Sequence, residues 1–187
     1  DPKMAAHRLI KGLALSLACL GAKALGMTNC LNFGTPEDPK VMHALKETID
    51  GLAEACEKLE IAVVSGNVSL YNATQGQSIP PTAVVGMIGE MLCPISVSLK
   101  GGLKPHDDLW LIEYGKPSLK GSRFQRLLAP QWDADKAPVM DNRGFKGFLE
   151  LVLGLKSSPV WVVGPKAGGL LVTLIRELLA QACQASP

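Results

Sequence analysis

Residues 63–72 read VVSGNVSLYN. An apolar run of the kind that fills a buried strand meets Ser65-Gly66-Asn67, then resumes through Val68, Leu70 and Tyr71 before more turn-forming residues. Two readings are open. A polar turn can end the strand here, the commoner use of such residues. Alternatively, Gly66 lets a phosphate approach the backbone while Asn67 and Ser69, alternating onto one side of an extended segment, offer an amide oxygen and a hydroxyl.

Upstream, Leu9, Leu13, Leu17 and Leu20, with Ala14 and Ala18, recur at helical spacing and predict a buried helix over 4–20 that stops at Gly21. The stretch TNCLNFGTP, residues 28–36, holds too many turn-formers for a strand or helix interior. Asn29 and Asn32 read there as local turn residues. Asp38 and Pro39 then cap a second helix, with Val41, Leu45, Ile49, Leu52, Cys56 and Leu59 on its apolar face. A strand is expected over 82–88. The order helix, strand, helix, strand predicts helices layered on a sheet, an α/β (α+β) fold.

Residues 92–107 shift to Gly, Pro and Ser, so the domain boundary is placed there, giving domains 1–92 and 93–187. Beyond it, DDLWLIEYG and PVWVVG read as strands, and 122–128, 145–154 and 168–182 as helices. The 187 residues are 47% hydrophobic and 19% charged, a globular composition that excludes a disordered or fibrous chain. A net charge of +2, without a basic block, argues against nucleic acid. Five scattered cysteines with no C-x-x-C pair fit reduced thiols, a cytoplasmic setting and no zinc site. The apolar run 13–20 is too short for a membrane span, which takes roughly 20 residues.

Taken together, TNCLNFGTPEDPKV, GLAEAC, VVSGNVSLYN and PPTAVVGMIG, in that order, resemble the synthetase subunit of phosphoribosylformylglycinamidine synthase of the small, multi-subunit type. That family belongs to the superfamily of aminoimidazole ribonucleotide synthetase. The resemblance is dense over 21–90 and looser through GGLKPHDDLWLIEYG, LKGSRF and GGLLVTLIREL. It implies part of the second of two homologous halves: the later portion of an ATP-binding domain, then most of a C-terminal α/β domain. The chain, which starts at Asp1, is expected to be a piece of something larger, without the catalytic histidine of the first half and inactive alone.

The resemblance also implies a reaction. ATP and Mg2+ convert formylglycinamide ribonucleotide, with ammonia from glutamine, to formylglycinamidine ribonucleotide in purine biosynthesis. The implied partners are a glutaminase subunit and a small accessory subunit. Carried over position by position, Asn29 and Gly66 contact ATP, Asn67 binds magnesium and Ser69 contacts the substrate. Many relatives have Asp where this chain has Asn29. Gly12 and Ser16 stand where the family has acidic and amide side chains, and Val163, Gly164 and Ala167 replace a His and two Asp. The auxiliary nucleotide site of long-type relatives is therefore expected to be absent or metal-free. The other reading is a non-catalytic structural or interaction module with a degenerate nucleotide site.

Remaining candidates read as structural. His7, His43 and His106 share no metal-ligand spacing, Asp107 and Asp108 fit a solvated turn, Lys120-Gly121-Ser122 fits a turn, and Trp110, Trp132 and Trp161 fit core or interface positions.

Overall fold

The computed structural model describes residues 1–92, 108, 110–115, 123–128 and 144–155. Expectations for PVWVVG, the final helix, His106, Asp107, Trp132, Trp161 and the 163–167 run lie outside these residues.

Helix α1 spans Pro2–Cys19, capped by the Asp1 carboxylate, which accepts from the Met4 amide at 2.8 Å. Its buried face is Ala6, Ile10, Ala14 and Ala18 with Lys11 and Cys19. The leucines expected to fill that face are half-buried, and Leu20 is exposed. Ala6 stands where α2 comes closest, at Gly51, and a leucine would not fit there. Gly21, at φ +84°, ends the helix as expected.

Strand β1, Ala22–Asn32, takes in residues 28–32 of the segment that composition reads as turn, and residues 33–36 beyond it are in no strand or helix, as expected. Helix α2, Pro39–Leu59, starts at Asp38, whose side chain accepts from the Lys40 amide at 2.8 Å. Leu45, Leu52 and Cys56 are buried as expected, whereas Ile49 is exposed and Ala44, Thr48, Gly51 and Ala55 complete the face. Strand β2 is Ala62–Ser69, β3 and β4 form a hairpin of Ala73–Thr74 and Gln77–Ser78, and β5 is Thr82–Met91. Gln75 and Gly76, both at positive φ, make the two-residue turn of that hairpin. Helices α3, Arg123–Leu128, and α4, Phe145–Leu155, follow. Residues 110–115 are in no strand, and Trp110 is 87% exposed, so the strand expected there is not found and, of the core or interface positions expected for Trp110, the core one is excluded.

The sheet order is β2-β1-β5, with β1 central, parallel to β2 and antiparallel to β5. A helix must carry the chain between parallel neighbours, and α2 does so. Helices α1 and α2 cover one face, packing Ala6, Ile10, Leu45, Leu52 and Cys56 against Met27, Leu31 and Phe33. Helix α4 adds Val152 against Ala18 and Cys19.

The opposite face carries Val64, Val84 and Ile88, which are 64%, 57% and 65% exposed. Strand β2 is not the buried strand its composition suggests. Among the described residues it is an edge strand with little helix cover, and Val63 and Val68, on the helix side, are also more than half exposed.

The α1–α2 contact turns on Gly51. A Cβ there would stand 2.5 Å from Lys3 O and 2.9 Å from Ala6 Cβ, both parts of α1 that cannot swing away. Gly51→Ala should therefore lower the unfolding free energy by about 1–3 kcal/mol in urea titrations, despite alanine's higher helix propensity.

His7 Nε2 meets Glu54 Oε2 at 3.2 Å beside the Lys3–Glu54 ion pair, while Nδ1 is buried with no hydrogen-bond partner among the described residues. Burial holds its pKa below the ordinary 6.5, against the opposing pull of Glu54. The fold thus favours neutral imidazole, and protonation would bury an unmatched N–H. This contribution is complete above the ordinary imidazole pKa and is lost as the pH falls through the depressed one. Urea midpoints should decline below about pH 6.5, and His7→Gln should flatten that decline.

Candidate functional site

Pairing of β1 with β2 lays one sequence motif directly beside the other. The register is Thr28 with Ser65, Asn29 with Gly66, Cys30 with Asn67, Leu31 with Val68 and Asn32 with Ser69. All four sequence-predicted site residues, Asn29, Gly66, Asn67 and Ser69, therefore fall within a short patch of two adjacent strands. The turn expected at Ser65-Gly66-Asn67 is absent, and β2 continues to Ser69. One extra residue in β2, at Val64, shifts the register between Met27 and Thr28 and sets this pairing.

Alternation then divides the four residues between the two faces. Asn29 lies on the side of Met27 and Leu31, toward the helices, and its side chain fills the space above Gly66. A Cβ at Gly66 would stand 2.8 Å from Asn29 Oδ1 and 3.1 Å from Nδ2. The room left by Gly66 is thus occupied by an amide of the neighbouring strand.

Asn67 and Ser69 share the uncovered face with Cys30 and Asn32. Asn67 Nδ2 lies 3.9 Å from Cys30 Sγ, and Asn32 Nδ2 lies 3.5 Å from the same sulfur. With Nδ2 of Asn67 turned to the sulfur, Oδ1 is the end available to a cation. It is one neutral, hard oxygen, and among the described residues no group of three or more His, Cys, Asp or Glu gathers to bind a metal. A single oxygen of this kind could hold a hard cation only if the remaining ligands came from phosphate oxygens and water.

Beyond Ser69 the two motifs stay joined. Phe33 N donates to Ser69 O at 3.0 Å, Tyr71 N to Gly34 O at 2.9 Å, and Asn72 N to Phe33 O at 3.1 Å. Gly34 leaves the space that Ser78 of the hairpin occupies. Tyr71, at φ +60°, sends its hydroxyl to Glu37 Oε1 at 2.8 Å, and Thr35 donates to the other carboxylate oxygen. These bonds, Thr35 first and then Tyr71, lower the pKa of Glu37, and the carboxylate raises that of Tyr71.

Sequence reasoning did not single out Asn72, Cys30 or Glu37. Asn72 was visible as the second asparagine of SGNVSLYN, three residues after the serine; Glu37 carried no such signal. The remaining candidates are peripheral: His43 and Asp108 are exposed. Ser16 Oγ donates to Gly12 O at 2.8 Å, a bond within α1.

The pairing of Asn29 with Gly66 makes a direct prediction. Gly66→Ala should cost about 1–2 kcal/mol by overpacking, and Asn29→Ala in the same chain should recover part of it. Urea titrations of both single variants and the double variant should give a coupling of at least about 0.5 kcal/mol.

Comparison with known proteins adds the following. Residues 1–91 match the family model described as AIR synthase related protein, N-terminal domain. The chain is 43% identical over 124 residues to the phosphoribosylformylglycinamidine synthase subunit PurL of Thermomicrobium roseum, covering 66% of this chain and 17% of that protein. It is 47% identical to the PurL subunit of Carboxydothermus hydrogenoformans, over 96% of this chain and 25% of that protein. A solved structure of Thermotoga maritima PurL complexed with FGAR is 39% identical over 48% of this chain and 14% of its own, with a TM-score of 0.44. The chain thus spans a quarter or less of the length of these relatives.

Proposed function

We infer that the chain is part of an ATP-dependent amidine synthetase, a reading supported by the match of residues 1–91 to the AIR synthase related N-terminal domain and by the likeness to the PurL subunits. The reaction assigned to it joins ammonia, released from glutamine, to formylglycinamide ribonucleotide in purine biosynthesis. The observation that carries this reading is the in-register pairing of residues 28–32 with 65–69. Two motifs far apart in sequence have no local reason to share a patch of polar side chains, and here they do.

The chemistry required is activation of an amide oxygen by phosphorylation, which turns a poor leaving group into a good one before ammonia attacks. Such catalysis rests on positioning and on neutralising phosphate charge. Bound magnesium would supply the charge neutralisation. Asn67 Oδ1 would hold one of its coordination positions, and Ser69 would fix the acceptor substrate on the same face. Asn29 and Gly66 would contact the nucleotide from the other side of the strand. Because the Asn29 amide of β1 stands over Gly66 of β2, a ligand passing over the rim of β2 would meet both.

The exposure of Val64, Val84 and Ile88 and, among the described residues, the unpaired outer edge of β2 support the reading of the chain as one part of a larger synthetase with a composite site. On that reading residues 93–187 form a C-terminal α/β domain, the glutaminase and small accessory subunits are its partners, and the setting is cytoplasmic. Among the described residues no helix is long and apolar enough to cross a membrane. A second reading, a structural or interaction module with a degenerate nucleotide site, is favoured by the exposed Val63, Val64 and Val68 and by the absence, among the described residues, of any group of three or more His, Cys, Asp or Glu that could hold a metal.

Calorimetric titration of ATP with magnesium into the complete polypeptide that carries these residues separates the two. The synthetase reading expects magnesium-dependent binding that Asn67→Ala weakens about tenfold, or about 1.4 kcal/mol. Unchanged binding in that variant would exclude Asn67 as a ligand, and no binding at all would establish the module. The chain alone, supplied with ATP, magnesium, ammonia and substrate, should show no turnover.

A further inference from the structure

Ser69 is the last residue of β2, and Asn72 folds back onto it. Asn72 Nδ2 lies 3.0 Å from Phe33 O and 2.9 Å from Ser69 O. A backbone carbonyl can only accept, so the end of the amide facing both is its NH2 group, whose two hydrogens are then used. Ser69 Oγ is also 3.1 Å from Nδ2, but no third hydrogen remains for it. The contact of Ser69 Oγ with Asn72 Oδ1, at 3.2 Å, therefore runs in one direction, with the hydroxyl donating.

We propose that Asn72 is a positioning residue that fixes the polarity of Ser69, so that the hydroxyl meets its ligand as an acceptor for a substrate O–H or N–H. This rests on the reading of Ser69 as a substrate contact and specifies its chemistry. A serine with a free rotor can donate to a phosphate as readily as it accepts from a sugar. Ser69 has spent its proton on Asn72, and its lone pairs would face a phosphate oxygen that only accepts. A sugar hydroxyl or an amide N–H is the matching group. The turn that places Asn72 is held independently by Tyr71 through Glu37.

Two measurements test this. In the labelled chain, through-hydrogen-bond couplings should connect Asn72 Nδ2 to the carbonyl carbons of both Phe33 and Ser69; coupling to only one would free a hydrogen for Ser69 Oγ and overturn the polarity. In the complete polypeptide, Ser69→Ala should weaken formylglycinamide ribonucleotide about tenfold, and should weaken its dephosphorylated riboside by the same factor. A loss seen with the nucleotide and not with the riboside would place Ser69 on the phosphate and overturn the proposal. No loss with either would overturn the substrate-contact reading itself and leave the couplings as they are. Asn72→Ala, which frees the rotor, should raise the KM of the nucleotide severalfold with kcat little changed. An equal fall in kcat would mark Asn72 as merely structural and overturn its positioning role.

Discussion

The parallel pairing of β1 with β2 is the constraint on which the rest of the molecule depends. Parallel neighbours cannot be joined by a tight turn, so α2 must lie between them, and its length and caps fix where β2 begins. Once Gly26 faces Ala62 and the extra residue at Val64 is absorbed, every later pair to Asn32 and Ser69 is determined. A slip by one residue would send Asn67 to the helix side and Gly66 to the open side, separating each candidate ligand residue from its companion.

The helices were legible in the sequence because their signals are local. Asp38-Pro39 states a helix start and Gly21 a helix end, and both hold. The packed face of α1 was misread, because leucine spacing reports amphipathicity and not which side a neighbouring helix approaches. Gly51 and Ala6 on the facing surfaces carried that information, and it becomes visible only when the two helices are set together.

The strands were harder to read. Residues 28–32 have turn-former composition yet lie in the central strand of the sheet, since Asn29, Cys30 and Asn32 are tolerated where partner strands satisfy the backbone and the side chains meet each other. Tertiary pairing overrode propensity there. The Val63–Val64 run looked like a buried strand because a short apolar run has no period to show how many of its faces are covered. The candidate site residues stand out in the sequence only through a resemblance to a family. The structure adds how they divide between faces, which Gly66 alone could not reveal.

The position of β1 in the sheet also bears on how the fold is reached. Its partner on one side is complete by Ser69, but its partner on the other side pairs Ala22 with Met91, at the far end of the described sheet. Closing that longer loop costs only slightly more chain entropy, yet it cannot begin until the last strand exists. On a ribosome, the helix-linked pair would emerge first with one rim of β1 still unpaired, and arrival of β5 would be the event that locks the order of the strands.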